Sequence, residues 1–261
     1  MSVIDAAVEG LRVEVSDRVA ILTIDREHRK NSLTLAMRQA IEQICATVDD
    51  DPDVDVLVLS AVGSVFCAGV DIKEVGELGG SLTPTDPGAA LRSVAKPVLC
   101  AVGGACVSGG LELALSCDLI IASEQARFAD THARLGALPR WGLSALLPRA
   151  VGLAKAKEMT ITGNFVDAAE ALRLGLVTRV VPDGELDAAV RALAADIVSN
   201  DQRAVRGSLD LYDRGAWCSV AEALDIEREV AFAWTVDTDD FASRRSQVTG
   251  RGSAQVGEDS Q

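Results

Sequence analysis

The chain has 261 residues and a formal charge of -14, from 39 acidic against 25 basic side chains. That length buries one sizeable core, so the expectation is one α/β domain, or one domain with a short appendage. The acidity argues against nucleic acid, whose phosphates need a cationic footprint, and an anionic ligand has to be held by a few local cations.

Leu11 to Val15 and Arg18 to Ile24 alternate apolar and polar residues and read as half-buried strands, with Asp17 near the turn. After the polar segment Arg26 to Asn31, the residues Leu33, Met37, Ile41, Ile44 and Val48 recur at helical spacing, with Ser32 or Thr34 as cap. Val54 to Val62 is nearly continuous apolar sequence, as in a strand covered on both faces. Gly76 to Gly88 holds glycines and two prolines and reads as a mobile loop. Pro97 to Val102 is a further buried strand, Gly109 to Leu115 a short helix, and Leu119 to Ala122 another strand. Helices follow at Ala154 to Thr162, after the Asp167/Glu170 capping pair, and at Glu185 to Val198. Two more are expected near Arg203 to Asp213 and Val220 to Thr235, before a polar tail from Arg251. Strands alternating with helices indicate an α/β fold. No fixed-period repeat stands out.

Met1 to Gly10 carries Asp5 and Glu9 and no basic region, unlike a secretory leader, and no apolar run reaches membrane-spanning length. The six cysteines lack metal-site spacing and read as reduced thiols in a cytoplasmic protein. With only His28 and His132, no metal site is expected. The positive mean hydropathy beside so acidic a balance suggests apolar surface hidden in an oligomer.

Two segments hold the candidate chemistry. In Phe66-Cys67-Ala68-Gly69-Val70-Asp71-Ile72-Lys73-Glu74, and again in Ala101 to Ala114, an apolar strand runs into small residues. Small residues let backbone amides approach a ligand, and the helix opening at Gly109 leaves amides unpaired. Two amides converging on one oxygen make an oxyanion hole. Glu112, three residues after Gly109, falls on the same helical face. On the residues alone, close packing and a dipole-complementing glutamate remain the favoured reading.

Both segments together resemble the hallmark motifs of the crotonase, or enoyl-CoA hydratase/isomerase, superfamily, and the likeness runs from about Leu11 to the last helices. The resemblance implies a ClpP-like spiral of ββα units over 1–200, a helical trimerisation region over 201–250 and a polar tail over 251–261. It implies an acyl-CoA thioester as ligand, with no cofactor beyond the coenzyme A of the substrate, and a homotrimer or dimer of trimers without nucleic acid or membrane as partner. By motif alignment the oxyanion donors are the amides of Ala68 and Gly109. The loop Ala68, Gly69, Val70, Asp71, Ile72, with Lys73, borders the coenzyme. Arg29 and Lys30 resemble the family's basic contacts, with Arg244 and Arg245 as further phosphate contacts.

Hydratases of this family use two glutamates. Glu112 matches the first, and aligning Phe128, Leu135 and Gly136 puts His132 where the second belongs. Arg140 stands where the family often has glycine, followed by Trp141, a candidate wall of the acyl pocket. An inward Arg140 would pair with Glu112 and weaken it as a base; an outward one leaves only its amide in play. His132 then has three readings: acid/base partner of Glu112 in hydration of 2-enoyl-CoA, bystander in a one-carboxylate reaction such as isomerisation, or structural residue that hydrogen-bonds Asp130 or Glu112 in a catalytically weak or inactive acyl-CoA-binding protein. Hydration in fatty-acid metabolism is ranked first. Asp71 is expected to cap its loop, Asp118 to end a helix, His28 to be solvated, Cys67 to act as a small hydrophobe, and Phe232 and Trp234 to lie between subunits.

Overall fold

A hairpin opens the fold. Strand β1 (Leu11–Ser16) pairs antiparallel with β2 (Val19–Ile24) across Asp17 and Arg18, both at positive φ, the geometry whose twist suits a two-residue turn. In the computed structural model the described residues are 8–77, 83–236, 244–246 and 248–252. They belong to two compact units, 1–209 and 210–261.

Helix α1 (Leu35–Asp50) buries Met37, Ile41, Ile44 and Val48 at the spacing read from sequence. Of the two candidate caps it is Thr34 whose hydroxyl accepts from the Met37 amide, at 3.2 Å. Strand β3 (Val56–Ala61) is followed by β4 (Val65–Cys67), α2 (Ile72–Glu77) and α3 (Pro87–Ser93). Gly76 and Gly88 therefore lie in helices rather than in the expected loop, and residues 78–82 of that stretch fall outside the described residues. The reason is local capping: Asp71 accepts from the Lys73 amide, and Asp86 from the Ala89 amide with Pro87 at the first helical position.

The two-strand step then repeats. Strands β5 (Val98–Val102) and β6 (Ala105–Val107) lead into α4 (Gly109–Leu115); β7 (Leu119–Ser123) and β8 (Arg127–Ala129) lead into α5 (Leu143–Val151) and α6 (Leu153–Thr162). Next come β9 (Val166–Asp167), α7 (Ala168–Leu174), β10 (Arg179–Val181), α8 (Leu186–Val198), α9 (Gln202–Gly215) and α10 (Val220–Ala233). The first strand of each pair enters a six-stranded sheet of order β1-β2-β3-β5-β7-β10; the second enters a four-stranded sheet of order β4-β6-β8-β9. Strands β3, β5 and β7 are mutually parallel, as are β4, β6 and β8. This is a spiral of ββα units. Unequal helical insertions between the pairs hide the repeat from the sequence.

Leu57, Leu59, Cys100, Val102, Ile120 and Ala122 face the main core, while Val56, Val58, Leu99, Ala101 and Ile121 face Val190 and Ala194 of α8. Cover on both faces is why β3 and β5 read as unbroken apolar runs. Successive turns of the spiral touch at Gly110, where a Cβ would sit 2.3 Å from the Cys67 carbonyl oxygen.

Three further expectations change. Helix α5 was not foreseen, because Pro148 lies inside it; Leu143, Leu147 and Val151 nevertheless form a buried stripe that holds it on the core. Asp118 does not end α4. Ser116 does, and the Asp118 carboxylate accepts from the Val98 amide, starting the β5–β7 ladder. The Asp167/Glu170 pair makes half of a capping box: Asp167 accepts from the Glu170 amide, but the Glu170 carboxylate binds Arg173. In the second unit, Val220, Leu224 and Phe232 of α10 are exposed, behind a complete capping box between Ser219 and Glu222. The division between the units falls within α9.

Candidate active site

Glu112 sits in the first turn of α4 at 2% exposure. Its Oε1 accepts from the amides of Arg140 (3.0 Å), Trp141 (2.6 Å) and Leu143 (3.3 Å). These amides converge because Gly142 adopts φ 112°, curling the chain into the start of α5. Such a concave row of amides at a helix N-terminus favours an anion. Burial nonetheless pushes the Glu112 carboxyl above its ordinary value, against the pull of those amides and of His132.

With Oε1 taken by three amides, Oε2 is the oxygen left facing His132. It lies 3.6 Å from Nε2 of His132. The His132 ring, 13% exposed, is tied at its other nitrogen: Nδ1 is 2.7 Å from Oδ1 of Asp130, which also accepts the His132 backbone amide at 3.1 Å. Asp130 is completely buried. Burial would raise its carboxyl, but the His132 ring, the neighbouring Thr160 hydroxyl and the His132 amide outweigh it, and the group lies below its ordinary value. The structure thus brings Glu112 and His132 together and adds Asp130 behind them.

The 130–132 segment is also tied to the turn before α4. The Ser108 hydroxyl accepts from the Thr131 amide at 3.0 Å and bonds the Thr131 hydroxyl at 2.8 Å. Ser108 sits at φ 49°, ψ −111°, a conformation that costs a non-glycine residue on the order of 1–3 kcal/mol. Gly109 follows directly. A Cβ there would approach the Trp141 ring to 2.8 Å and the Gly69 Cα to 3.2 Å, so glycine is what lets these three segments meet.

The choice of Ala68 as an oxyanion donor does not stand. Its amide already donates to the Lys30 carbonyl at 3.1 Å. The neighbouring bonds, Leu33 amide to Gly69 carbonyl and Asp71 amide to Leu33 carbonyl, stitch the loop to residues 30–33 and skip Val70. Among the described residues the amides of Val70 and Gly109 have no acceptor. The amide left without an acceptor in this loop is two residues beyond the one chosen from sequence, because only the strand-like pairing reveals which amides are consumed.

Arg29, Lys30 and Lys73 are exposed on the two segments this stitching joins, beside exposed Ile72. Asp71 is structural, as expected: Oδ2 binds Arg26 at 2.7 Å and Oδ1 caps α2. The basic turn is further held by Asn31, whose buried side chain spans the Arg26 amide and the Val62 and Val65 carbonyls. The Arg140 side chain is exposed, so the outward alternative holds and only its amide reaches Glu112. Trp141 is buried, its Nε1 donating to the Thr85 carbonyl at 2.8 Å. His28 is exposed, and burial drives the Cys67 thiol to about 12, leaving it inert. Arg244 and Arg245 lie on a short helical turn, 244–246, of the second unit.

The contact of Asp130 with the His132 ring was one of the alternatives open at the sequence level, whereas the part of Ser108 and of the Trp141 and Leu143 amides was not foreseen. Asp130 stands two residues before the histidine in the same motif, which was the available signal; the amide cradle needed the turn geometry.

Comparison with known proteins shows the family. The family model described as enoyl-CoA hydratase/isomerase matches residues 14–248. A probable peroxisomal enoyl-CoA hydratase 1 of Arabidopsis thaliana is 35% identical over 243 residues, covering 91% of this chain and 92% of that protein. A short-chain-enoyl-CoA hydratase of Clostridium acetobutylicum is 34% identical over 235 residues, covering 87% and 90%. Among solved structures, enoyl-CoA hydratase from Mycobacterium tuberculosis H37Rv has a TM-score of 0.75 at 45% identity, covering 84% of this chain and 96% of that one. Enoyl-CoA hydratase from Bacillus anthracis has a TM-score of 0.83 at 27% identity, covering 93% and 97%. With the family's pattern matched over most of the chain and its relatives aligned nearly end to end, this protein is a member of the enoyl-CoA hydratase/isomerase family.

Proposed function

We propose that this chain hydrates 2-enoyl-CoA thioesters to 3-hydroxyacyl-CoA in fatty-acid metabolism. The observation that carries the reading is the Glu112 Oε2–His132 Nε2 pair, 3.6 Å apart, with Glu112 in the same turn of α4 that presents the Gly109 amide. The amides of Gly109 and Val70 receive the thioester oxygen, on which charge develops as the β-carbon is attacked. Glu112 takes a proton from water as the water oxygen bonds the β-carbon. The His132 ring, carrying a proton on each nitrogen at this point, delivers the one on Nε2 to the α-carbon as the enolate collapses. The proton held by Glu112 then crosses to Nε2, and both groups are restored. One water is added and nothing else is consumed. Relatives named enoyl-CoA hydratase support the reaction.

Arg29, Lys30 and Lys73 would meet the coenzyme phosphates, with Gly69, Val70 and Ile72 along its path and Trp141 beside the acyl group. The exposed apolar residues of α10 support a homo-oligomer; a trimer or a dimer of trimers, and a cytoplasmic location, complete the reading. No helix among the described residues is long and apolar enough to cross a membrane. The non-catalytic alternative drew on an inward Arg140, and that side chain is exposed.

Crotonyl-CoA and a longer 2-enoyl-CoA test the reading. Loss of the conjugated absorbance with a product heavier by one water, abolished by Glu112→Gln and His132→Ala, is expected. Saturable binding without turnover would overturn it.

A further inference from the structure

By the sequence resemblance His132 stands where a glutamate is expected, and a carboxylate needs no tautomer. An imidazole does. Its two nitrogens differ, and a ring offering the wrong one to the substrate cannot do the same chemistry. The change of residue type therefore creates a requirement that something else in the chain has to meet.

Asp130 has the properties to meet it. Its carboxylate is held below the ordinary value, so it is ionised near neutrality and accepts hydrogen bonds only. An acceptor 2.7 Å from Nδ1 places the proton on Nδ1. Nε2 then carries the lone pair and faces Glu112 Oε2 at 3.6 Å. Asp130 is itself immobile: it is fully buried, its Oδ1 also accepts the His132 backbone amide, and the next residue, Thr131, is bonded twice to Ser108. The groups facing the ring are Asp130 from the end of β8 and Glu112 from α4, with the uncharged Thr160 of α6 behind Asp130.

We propose that Asp130 is a positioning residue that holds His132 as the Nδ1–H tautomer, so that the ring addresses Glu112 and the substrate through Nε2 alone. In the neutral ring Nε2 takes the proton that Glu112 has drawn from water. In the charged ring the same Nε2–H is the one given to the α-carbon, and the Asp130 carboxylate balances the charge meanwhile. The proton that leaves Nε2 for the α-carbon is replaced by the one Glu112 has drawn from water, while Nδ1–H never exchanges partners.

The kinetic part of this inference rests on the hydration reading; the tautomer does not. The chain has only two histidines, so ¹⁵N-histidine labelling gives two ring spectra, which a His28→Asn variant assigns. At a pH where the His132 ring is neutral, its spectrum is expected to report protonated Nδ1, whereas an unconstrained imidazole favours Nε2–H. Asp130→Asn is expected to abolish that preference. In kinetics, Asp130→Asn should lower kcat by about 10- to 100-fold, the usual scale for an orienting partner, with KM within about twofold. In a His132→Gln background the same substitution should change kcat by less than about twofold, because its effect passes through the ring. The proposal is overturned by an Nε2–H ring in the unmodified protein, by one tautomer common to both proteins, or by an equal kinetic cost with and without His132. Should the chain turn over no enoyl-CoA, the hydration reading fails and the spectra still decide the role of Asp130. The first spectrum needs no variant at Asp130, so misfolding of Asp130→Asn would not shield the proposal.

Discussion

Glu112→Gln exchanges one carboxylate oxygen for an amide at nearly constant volume, and the geometry dictates which oxygen. Oε1 accepts three amides, at 3.0, 2.6 and 3.3 Å, so only the carbonyl oxygen of glutamine fits there. The new NH₂ is forced into the place of Oε2, facing His132 Nε2 across 3.6 Å, where it donates a proton and accepts none. The side chain stays seated while the base is lost. General-base catalysis is worth about 10²- to 10⁴-fold in rate, equivalent to about 2.7–5.4 kcal/mol of barrier. We expect kcat for crotonyl-CoA to fall within that range, while the Kd for a saturated acyl-CoA, measured by calorimetry, moves by less than about threefold. Turnover within about threefold of the unmodified protein would refute the assignment, as would a loss of binding equal to the loss of turnover. The same variant has a thermal signature. Burial raises Glu112, so the native state keeps its proton to higher pH than the unfolded state does. The stability this provides is full below the unfolded value and is lost as pH rises through the native one. Glutamine suffers no such loss, so the Tm of the variant relative to the unmodified protein should climb with pH across that window. A pH-independent difference would contradict the cause given for the shift.

Asp130→Asn should show the opposite trend. Asp130 is lowered, its contribution is present above the unfolded value and lost as pH falls through the native one, so the deficit in Tm should be greatest near neutrality and shrink in acid. Gly110→Ala brings a Cβ to 2.3 Å from a backbone oxygen, and overpacking of this kind costs about 1–3 kcal/mol; differential scanning calorimetry should record a loss of about 2–4 °C per kcal/mol. Ser108→Ala cuts both bonds to Thr131 and frees the segment that carries His132, so kcat should fall by about 10-fold with little change in KM; an unaltered kcat would mean that Asp130 alone sets the ring. Native protein should protect Cys45 and Cys67 from a thiol reagent at pH 8, since burial drives both to about 12, and all six thiols should react after unfolding.

Much of the chain was legible because its signals are local. The amphipathic spacing of α1, the continuous apolar runs of β3 and β5, and the Gly109–Glu112 turn depend on residues close in sequence, whose periodicity and side-chain chemistry carry the information. The flanking residues likewise pointed to His132, and the structure sets that ring 3.6 Å from Glu112. The second sheet was not legible. Its strands β4, β6 and β8 have three residues each, too short to show a period, and they exist only because successive turns of the spiral stack in register.

The sequence by itself determined the α/β class, the two motif segments and the choice of Glu112 and His132 as candidates, since each is written in residue type and spacing. Tertiary structure decided what surrounds them: that Arg140 points away, that three amides across a turn at Gly142 hold one oxygen of Glu112, that Ala68 spends its amide on Lys30 while Val70 does not, and that Asp130 holds one nitrogen of His132. Hydrogen-bond donors are consumed by partners far along the chain, about 30 residues away for most of these contacts, and which remain free is settled only when those partners arrive.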